Sequence, residues 1–169
     1  MEKTGIGDPN RTEGTPCGHG RDGKAPVVPE APRPLSEARG SAIRIYVDSD
    51  VIIWHLRGER RAAALLRSLA GTPGLELWMG AIQRAEIVFF MRREEEAATM
   101  SLLSRLRSPP VTQAIVDAAG AFYRRWHPSH GLDVNDALLA ATVTSTGGRI
   151  VTQNVKHYSM PDVNVQKGW

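Results

Sequence analysis

The chain of 169 residues is long enough for one domain with a substantial core, and its 41% hydrophobic and 23% charged residues are ordinary for a globular protein. Its one cysteine, Cys17, excludes an internal disulfide and fits a reducing compartment. No apolar run approaches the roughly 18 residues of a spanning helix, and the N-terminus lacks a secretory signal. We therefore expect a cytoplasmic protein without a membrane segment.

The net charge of +3 at pH 7 belongs to residues 41–169, because residues 1–40 hold six basic and six acidic side chains. If four or five acidic groups of the larger part converge on one metal ion, its remaining surface is distinctly basic. A small acidic site in a basic surface suits a metal-dependent enzyme that acts on a polyanion.

The first 40 residues have the composition of a disordered tail. They contain seven Gly and six Pro and few large apolar side chains, so they cannot bury enough surface to offset the entropy of ordering. We predict a disordered tail over residues 1–40 and a folded domain over residues 41–169.

The folded part opens with a strand that ends in two carboxylates. Apolar and polar residues alternate from Ile43 to Val47, which predicts a strand, and Asp48 and Asp50 follow before a helical pattern that begins at Val51. Ligands bind at the carboxyl ends of strands in open α/β sheets, and Mg²⁺ prefers carboxylate and water oxygens. A structural interpretation fits equally well, because Asp also caps helices.

The rest of the chain predicts further helices and strands. Helices are predicted at Glu59–Leu69, Ala81–Arg92, Glu94–Arg107, Thr112–Trp126 and from Asp133 to Gly147, strands at Leu75–Met79, Arg149–Thr152 and Val163–Val165, and a loop at His127–Gly131. This order implies a parallel sheet flanked by helices.

Three more polar side chains are expected near the carboxyl ends of these strands. Glu86 lies on an apolar helix face, where a carboxylate is costly without a partner, although helical Glu commonly forms surface ion pairs. Asp136 falls at the third position of a helix that Asp133 caps, so both have a structural explanation. Asn154 follows the last of the predicted inner strands.

Four segments resemble the PIN-domain family, and within it the VapC-type toxins of type II toxin–antitoxin pairs. In chain order they are Ile45–Ile53, Gly80–Ile87, His130–Thr142 and Val151–Tyr158. Their order and spacing make the resemblance specific, and it runs from about residue 43 to residue 165. It implies an α/β fold of three layers, in which helices cover both faces of a central parallel sheet of four or five strands.

The resemblance implies a Mg²⁺- or Mn²⁺-dependent endoribonuclease that acts as a toxin. It carries the metal-ligand roles onto Asp48, Glu86 and Asp136, and leaves Asp133 and Asn154 to help position water. The chemistry agrees, because a metal ion lowers the pKa of a bound water and stabilises charge that develops on phosphate. Candidates for contacts to RNA phosphates, each with a plain surface charge as the commoner role, are Arg57, Arg84, Arg149 and Lys156.

The chain departs from the family pattern at two places. The Ser and Thr of the second segment are Gly80 and Gln83 here, which removes two hydroxyl groups. The fourth acidic position is Asn154, which orients water but adds no negative charge. Asp133 and Asp50 are the alternatives for a fourth carboxylate.

Two other functions compete with the nuclease. The stretch after the first strand also resembles haloacid-dehalogenase-type phosphatases, but their late Lys is missing, since the chain has no Lys between Lys24 and Lys156. A catalytically inactive PIN-fold binding module is the second alternative. It gives no reason for gathering carboxylates that repel one another.

The resemblance also implies an RNA substrate, a cognate antitoxin protein and a homodimer. The first three helices carry more large apolar residues than one sheet face needs, and exposed apolar patches mark protein interfaces. We expect an antitoxin segment to cover some of these residues and to place a basic side chain in the acidic site. The residues are Trp54, Leu56, Leu65, Leu69, Phe89, Phe90 and Met91.

Overall fold

A computed structural model describes residues 42–169, and the prediction for residues 1–40 lies outside this part of the chain. The strands are β1 (Ile43–Val47), β2 (Leu75–Trp78), β3 (Arg149–Thr152) and β4 (Val165–Lys167). The helices are α1 (Ser49–Leu56), α2 (Arg60–Gly71), α3 (Ala81–Phe90), α4 (Glu96–Leu103), α5 (Gln113–His130) and α6 (Val134–Thr146), with 3₁₀ turns at Arg93–Glu95 and Val155–His157.

The four strands form one parallel sheet in the order β2-β1-β3-β4. β1 lies at the centre, where Tyr46 stands opposite Trp78 of β2 and Ile150 of β3. The carboxyl ends of β1 and β3 therefore lie side by side, and the chain leaves them at Asp48 and Gln153. The predicted parallel sheet flanked by helices is confirmed.

Helices cover both faces of the sheet because successive strand residues point to opposite sides. On one face, Tyr46 and Ile150 pack into a core with residues of α5 and α6. On the other, Ile45, Val47 and Val151 contact apolar side chains of α1, α2 and α3. All five strand residues are fully buried, and the three layers follow. None of the helices within residues 42–169 is long and apolar enough to cross a membrane.

The loop predicted at His127–Gly131 is wrong, because α5 continues to His130 with Pro128 inside it. Two ring pairs four residues apart support this last turn: Tyr123 stacks on His127 at 4.5 Å, and Trp126 meets the ring of His130 at 5.0 Å. Gly131 then ends the helix in the left-handed conformation, φ 66°, and its N–H donates to the carbonyl of His127.

Two other boundaries differ from the prediction. The helix expected to reach Arg107 ends at Leu103, because Arg107 instead pairs with the edge strand β2: its N–H donates to the carbonyl of Leu77, and its carbonyl accepts from Met79. The last strand lies at Val165–Lys167 and not at Val163–Val165, since the N–H of Val163 turns back to the carbonyl of Met160.

Candidate functional site

Asp48 serves the fold and the site with different oxygens. It directly follows β1, and its backbone N–H donates to the carbonyl of Val151 in β3 at 3.0 Å. Its Oδ1 accepts from the N–H of Ser49 at 2.7 Å and so caps α1. Its Oδ2 accepts from the hydroxyl of Tyr158 at 3.1 Å. The side chain is only 5% exposed. The capping interpretation of this residue is confirmed, and its role as a metal ligand stays a prediction.

Asp136 is fixed from three sides at the start of α6. Its backbone N–H donates to Oδ1 of Asp133, the N-cap, at 2.8 Å. Its Oδ1 accepts from the Tyr158 hydroxyl at 2.9 Å, and its Oδ2 lies 2.9 Å from Nδ1 of His157. Both carboxylate oxygens therefore have partners on the segment that follows β3.

Glu86 is connected to the same helix start through an amide. Oε1 of Glu86 accepts from Nδ2 of Asn135 at 2.6 Å, and the carbonyl of Asn135 accepts from Nε2 of Gln83 at 3.0 Å. These two bonds join α3 to the first turn of α6. The residue that binds Glu86, Asn135, directly precedes Asp136 in the chain. No ion pair joins Glu86 to Arg84 or Arg93 in the described residues.

The two departures in the second segment belong together. A Cβ added at Gly80 would meet Oε1 of Gln83 and stand 3.1 Å from Leu139, so the long amide uses space that glycine leaves free. Gln83 is 1% exposed and uses its reach to bind Asn135. The missing hydroxyl groups are therefore replaced by one buried amide that holds α3 against α6.

Asp50 lies on α1 beside Asp48 and is held by the end of β3. Its Oδ2 accepts from the hydroxyl of Thr152 at 3.0 Å and from the N–H of Gln153 at 2.8 Å. Its Oδ1 is buried and has no hydrogen-bond partner. An unpartnered buried carboxylate oxygen is costly. Asp50 and Asp133, whose Oδ1 caps α6, both remain alternatives for the fourth carboxylate.

Asn154 has no visible part in the acidic cluster. Its side chain is exposed, and within residues 42–169 it makes no hydrogen bond to Asp48, Glu86 or Asp136. Its backbone N–H donates to the hydroxyl of Thr152 at 2.9 Å. Its predicted role in positioning water remains a prediction.

Burial and mutual repulsion dominate the electrostatics of the cluster. Burial, together with the nearby charges of Asp50 and Asp136, raises the pKa of Asp48 to about 7. The pKa of Asp136 is also raised, first by burial and then by the charge of Asp133. Within residues 42–169 no Lys or Arg forms an ion pair with any of these four carboxylates. The acidic groups therefore lack a Lys or Arg partner in the described residues, and the imidazole of His157 is the basic group that contacts Asp136.

The four basic side chains that were predicted to contact RNA phosphates differ in their surroundings. Nη1 of Arg84 donates to the carbonyl of Leu103 at 3.0 Å, so this side chain ties α3 to α4. Nε of Arg149 is buried without a partner, whereas Arg57 and Lys156 are exposed. Only the last two have charges that project freely from the surface.

The cluster fits a hard divalent cation that keeps part of its water shell. Oxygens of Asp48 and Asp136 face one hydroxyl, and a buried oxygen of Asp50 is unpartnered. Within residues 42–169 no three His, Cys, Asp or Glu side chains are arranged around one point. Mg²⁺ is typically held by one or two carboxylates together with water and substrate phosphate, which suits the two facing carboxylates.

Sequence reasoning missed three residues that support these carboxylates. Tyr158 and His157 lie in the fourth resembling segment, and Asn135 lies in the third. The available signal was the presence of hydrogen-bonding side chains beside the acidic positions. Which acid each of them reaches depends on the crossing of β3 and α6, which no local pattern specifies.

This fold, with its acidic cluster at the carboxyl ends of β1 and β3, defines the class of protein. The family model described as PIN domain matches residues 45–163, and the chain belongs to this family. Membership excludes the alternative of a haloacid-dehalogenase-like phosphatase.

Within the family, the chain is similar to the VapC proteins. It is 35% identical over 119 residues to Ribonuclease VapC19 of Mycobacterium tuberculosis, an alignment that covers 69% of this chain and 94% of the relative. It shares its fold with VapBC-1 from nontypeable Haemophilus influenzae, at a TM-score of 0.62 and 20% identity, over 75% of this chain and 98% of that one. A toxin–antitoxin complex from Klebsiella pneumoniae matches at a TM-score of 0.60 and 22% identity, over 74% and 98% of the two chains.

Proposed function

We propose that this protein is a divalent-metal-dependent endoribonuclease and the toxin of a toxin–antitoxin pair in the cytoplasm. The observation that carries the proposal is a pair of carboxylates, the buried Asp48 and the partly buried Asp136, whose oxygens face one hydroxyl. Within residues 42–169 neither forms an ion pair with a Lys or Arg. The relatives named as ribonucleases supply the substrate class.

Mg²⁺ or Mn²⁺ would be held by Asp48 and Asp136, with Glu86 as the third predicted ligand. When bound, such an ion supplies an activated water and stabilises negative charge on the phosphate. The chain's own residues position the ligands. Asp133 fixes the first turn of α6, and Asn135 fixes the carboxylate of Glu86.

The direct test is cleavage of single-stranded RNA by the purified protein. We expect cleavage with Mg²⁺ or Mn²⁺ and none in excess EDTA, because the proposed reaction needs a metal ion to activate water and to stabilise charge on the phosphate. The same ions should raise the melting temperature, since a ligand that binds only the folded state stabilises it. Cleavage that persists in EDTA would contradict the metal mechanism. A melting temperature that responds to metal in a protein without activity would favour the inactive binding module.

A second proposal concerns the antitoxin and a surface on α1, α3 and α4. Phe89 and Phe90 are 77% and 84% exposed at the end of α3. Trp54, Leu56 and Met100 are also exposed. A cleft of about 360 Å³ begins just beyond α3 and is lined by Arg93, Glu96, Ala97 and Met100. Some of seven apolar residues were expected to form a groove. Leu69 is not one of them, because it is buried in the core.

We expect an antitoxin helix to cover Phe89 and Phe90, with a basic side chain reaching the acidic cluster. Substituting either Phe by Ser should weaken binding of the protein encoded beside this gene by tenfold or more, since buried aromatic side chains dominate interface energies. The melting temperature should stay unchanged, because neither side chain contributes to the core. Val116→Ser, which removes an exposed apolar side chain from α5, is the control. Equal binding by all three variants would place the antitoxin elsewhere. The proposed homodimer would use other helices.

A further inference from the structure

The hydroxyl of Tyr158 contacts two of the predicted metal ligands, although the family resemblance assigns Tyr158 no role. Its hydroxyl lies 3.1 Å from Oδ2 of Asp48 and 2.9 Å from Oδ1 of Asp136. A phenol has one hydrogen to donate, so that hydrogen is shared between two carboxylates from different elements. One carboxylate follows β1, and the other begins α6.

The phenol is held firmly enough to impose this geometry. Tyr158 is 4% exposed and packs in the core that α5 and α6 form on the sheet. Its backbone N–H donates to the carbonyl of Val155 at 3.1 Å, within the 3₁₀ turn that follows β3. The preceding residue, His157, contacts the other oxygen of Asp136. His157 and Tyr158 therefore contact the two carboxylates from a segment that is anchored in the core.

We propose that Tyr158 is a positioning residue, whose hydroxyl holds Asp48 and Asp136 together so that one divalent cation can bind both. The inference rests on the metal-dependent function proposed above. Two carboxylates without a shared donor repel each other and turn apart, and a cation must then bring them together again. Hydrogen-bond partners behind metal ligands typically contribute 10- to 100-fold to metal affinity.

The test compares Mn²⁺ binding by the full chain and two variants, measured by the electron paramagnetic resonance signal of free Mn²⁺. Tyr158→Phe removes the shared hydroxyl and keeps the ring. Tyr46→Phe is the control, because Tyr46 is also buried and its hydroxyl is hydrogen-bonded away from the acidic site, to Thr146 at 2.7 Å at the far end of α6. Both variants lose a buried hydrogen bond, so a purely structural effect would lower both melting temperatures alike.

We expect Tyr158→Phe to weaken Mn²⁺ binding roughly tenfold, and Tyr46→Phe to leave it unchanged. Unchanged or tighter binding by Tyr158→Phe would overturn the inference; tighter binding would mean that the hydroxyl competes with the ion. An equal loss in both variants would also overturn it. If the unsubstituted chain binds no Mn²⁺, the proposed metal dependence fails, and that result appears in its own titration before any variant is measured.

A second measurement covers the case in which Tyr158→Phe does not fold. The chain has three tyrosines, so the double variant Tyr46→Phe, Tyr123→Phe keeps Tyr158 alone. Mn²⁺ should then change the near-ultraviolet absorption of this tyrosine, because its hydroxyl contacts both proposed ligands. An unchanged tyrosine band at saturating Mn²⁺ would overturn the inference.

Discussion

Replacing Asp48 by Asn is expected to lower RNA cleavage by roughly a thousandfold, the loss that follows when several kcal/mol of stabilisation by a metal ion is removed. The fold should survive. Asn retains an oxygen that can accept from Ser49 N–H and cap α1, as Oδ1 of Asp48 does at 2.7 Å. Its amide fills the place of Oδ2 beside Tyr158. The measurement is the rate of cleavage of a labelled single-stranded RNA at saturating Mg²⁺.

The matched control for this prediction is Asp117→Asn. Asp117 is an exposed carboxylate on α5, so its replacement removes the same charge and leaves the acidic cluster intact. Its cleavage rate should equal that of the unsubstituted chain. Full activity of Asp48→Asn would show that cleavage does not depend on this ligand, and equal loss in both variants would point to an effect of net charge on RNA binding.

The sequence carried enough information to place Asp48 but not to choose between its two explanations. An Asp between a strand and a helix is expected both to cap the helix and to enter the crevice at the strand end. The two explanations are compatible in the structure, because Oδ1 caps α1 and Oδ2 faces Tyr158. A carboxylate has two oxygens, so a structural role for one is no argument against a functional role for the other.

Long-range contacts were beyond what the sequence could predict. The positions of the first three strands along the chain followed from periodicity and from the breaks at Gly and Pro. The contact of Tyr158 with both Asp48 and Asp136 depends on how three elements cross, over separations of 110 and 22 residues. The continuation of α5 through Pro128 was missed for a different reason. The local preference of proline argued for a loop, whereas two ring pairs four residues apart support the last helical turn.

For Glu86, by contrast, the local pattern predicted that the carboxylate needs a hydrogen-bond partner, and the structure shows which residue donates to it. A carboxylate on an apolar face needs a hydrogen bond, and Asn135 provides it at 2.6 Å. The partner itself is positioned by Gln83, which replaces a smaller residue of the family pattern and uses the space that Gly80 leaves free. The departures from the pattern are thus one coupled change in packing, and they leave the acidic position in place.

The second large effect is expected in the stability of the protein without metal. Burial raises the pKa of Asp48 from 3.8 to about 7, so the folded state holds this proton more tightly than the unfolded chain does. The contribution of the group to the free energy of unfolding is complete below pH 3.8 and is lost as the pH rises towards 7. The raised pKa of Asp136 acts in the same direction.

We therefore expect the metal-free chain to lose up to about 4 kcal/mol of stability between pH 4 and pH 7 through Asp48, at 1.36 kcal/mol for each unit of its shift. Asp48→Asn has no proton to lose there, so its free energy of unfolding should fall less and exceed that of the unsubstituted chain above pH 7. Urea denaturation of both proteins in metal-free buffer at several pH values gives the difference, because only Asp48 and the groups that its charge affects titrate differently in the two. Adding Mg²⁺ should restore stability to the unsubstituted chain at high pH and leave the variant nearly unchanged, since the ion binds the ionised carboxylate. Parallel curves for the two proteins would mean that Asp48 is ionised at little cost and that repulsion within the cluster is weak.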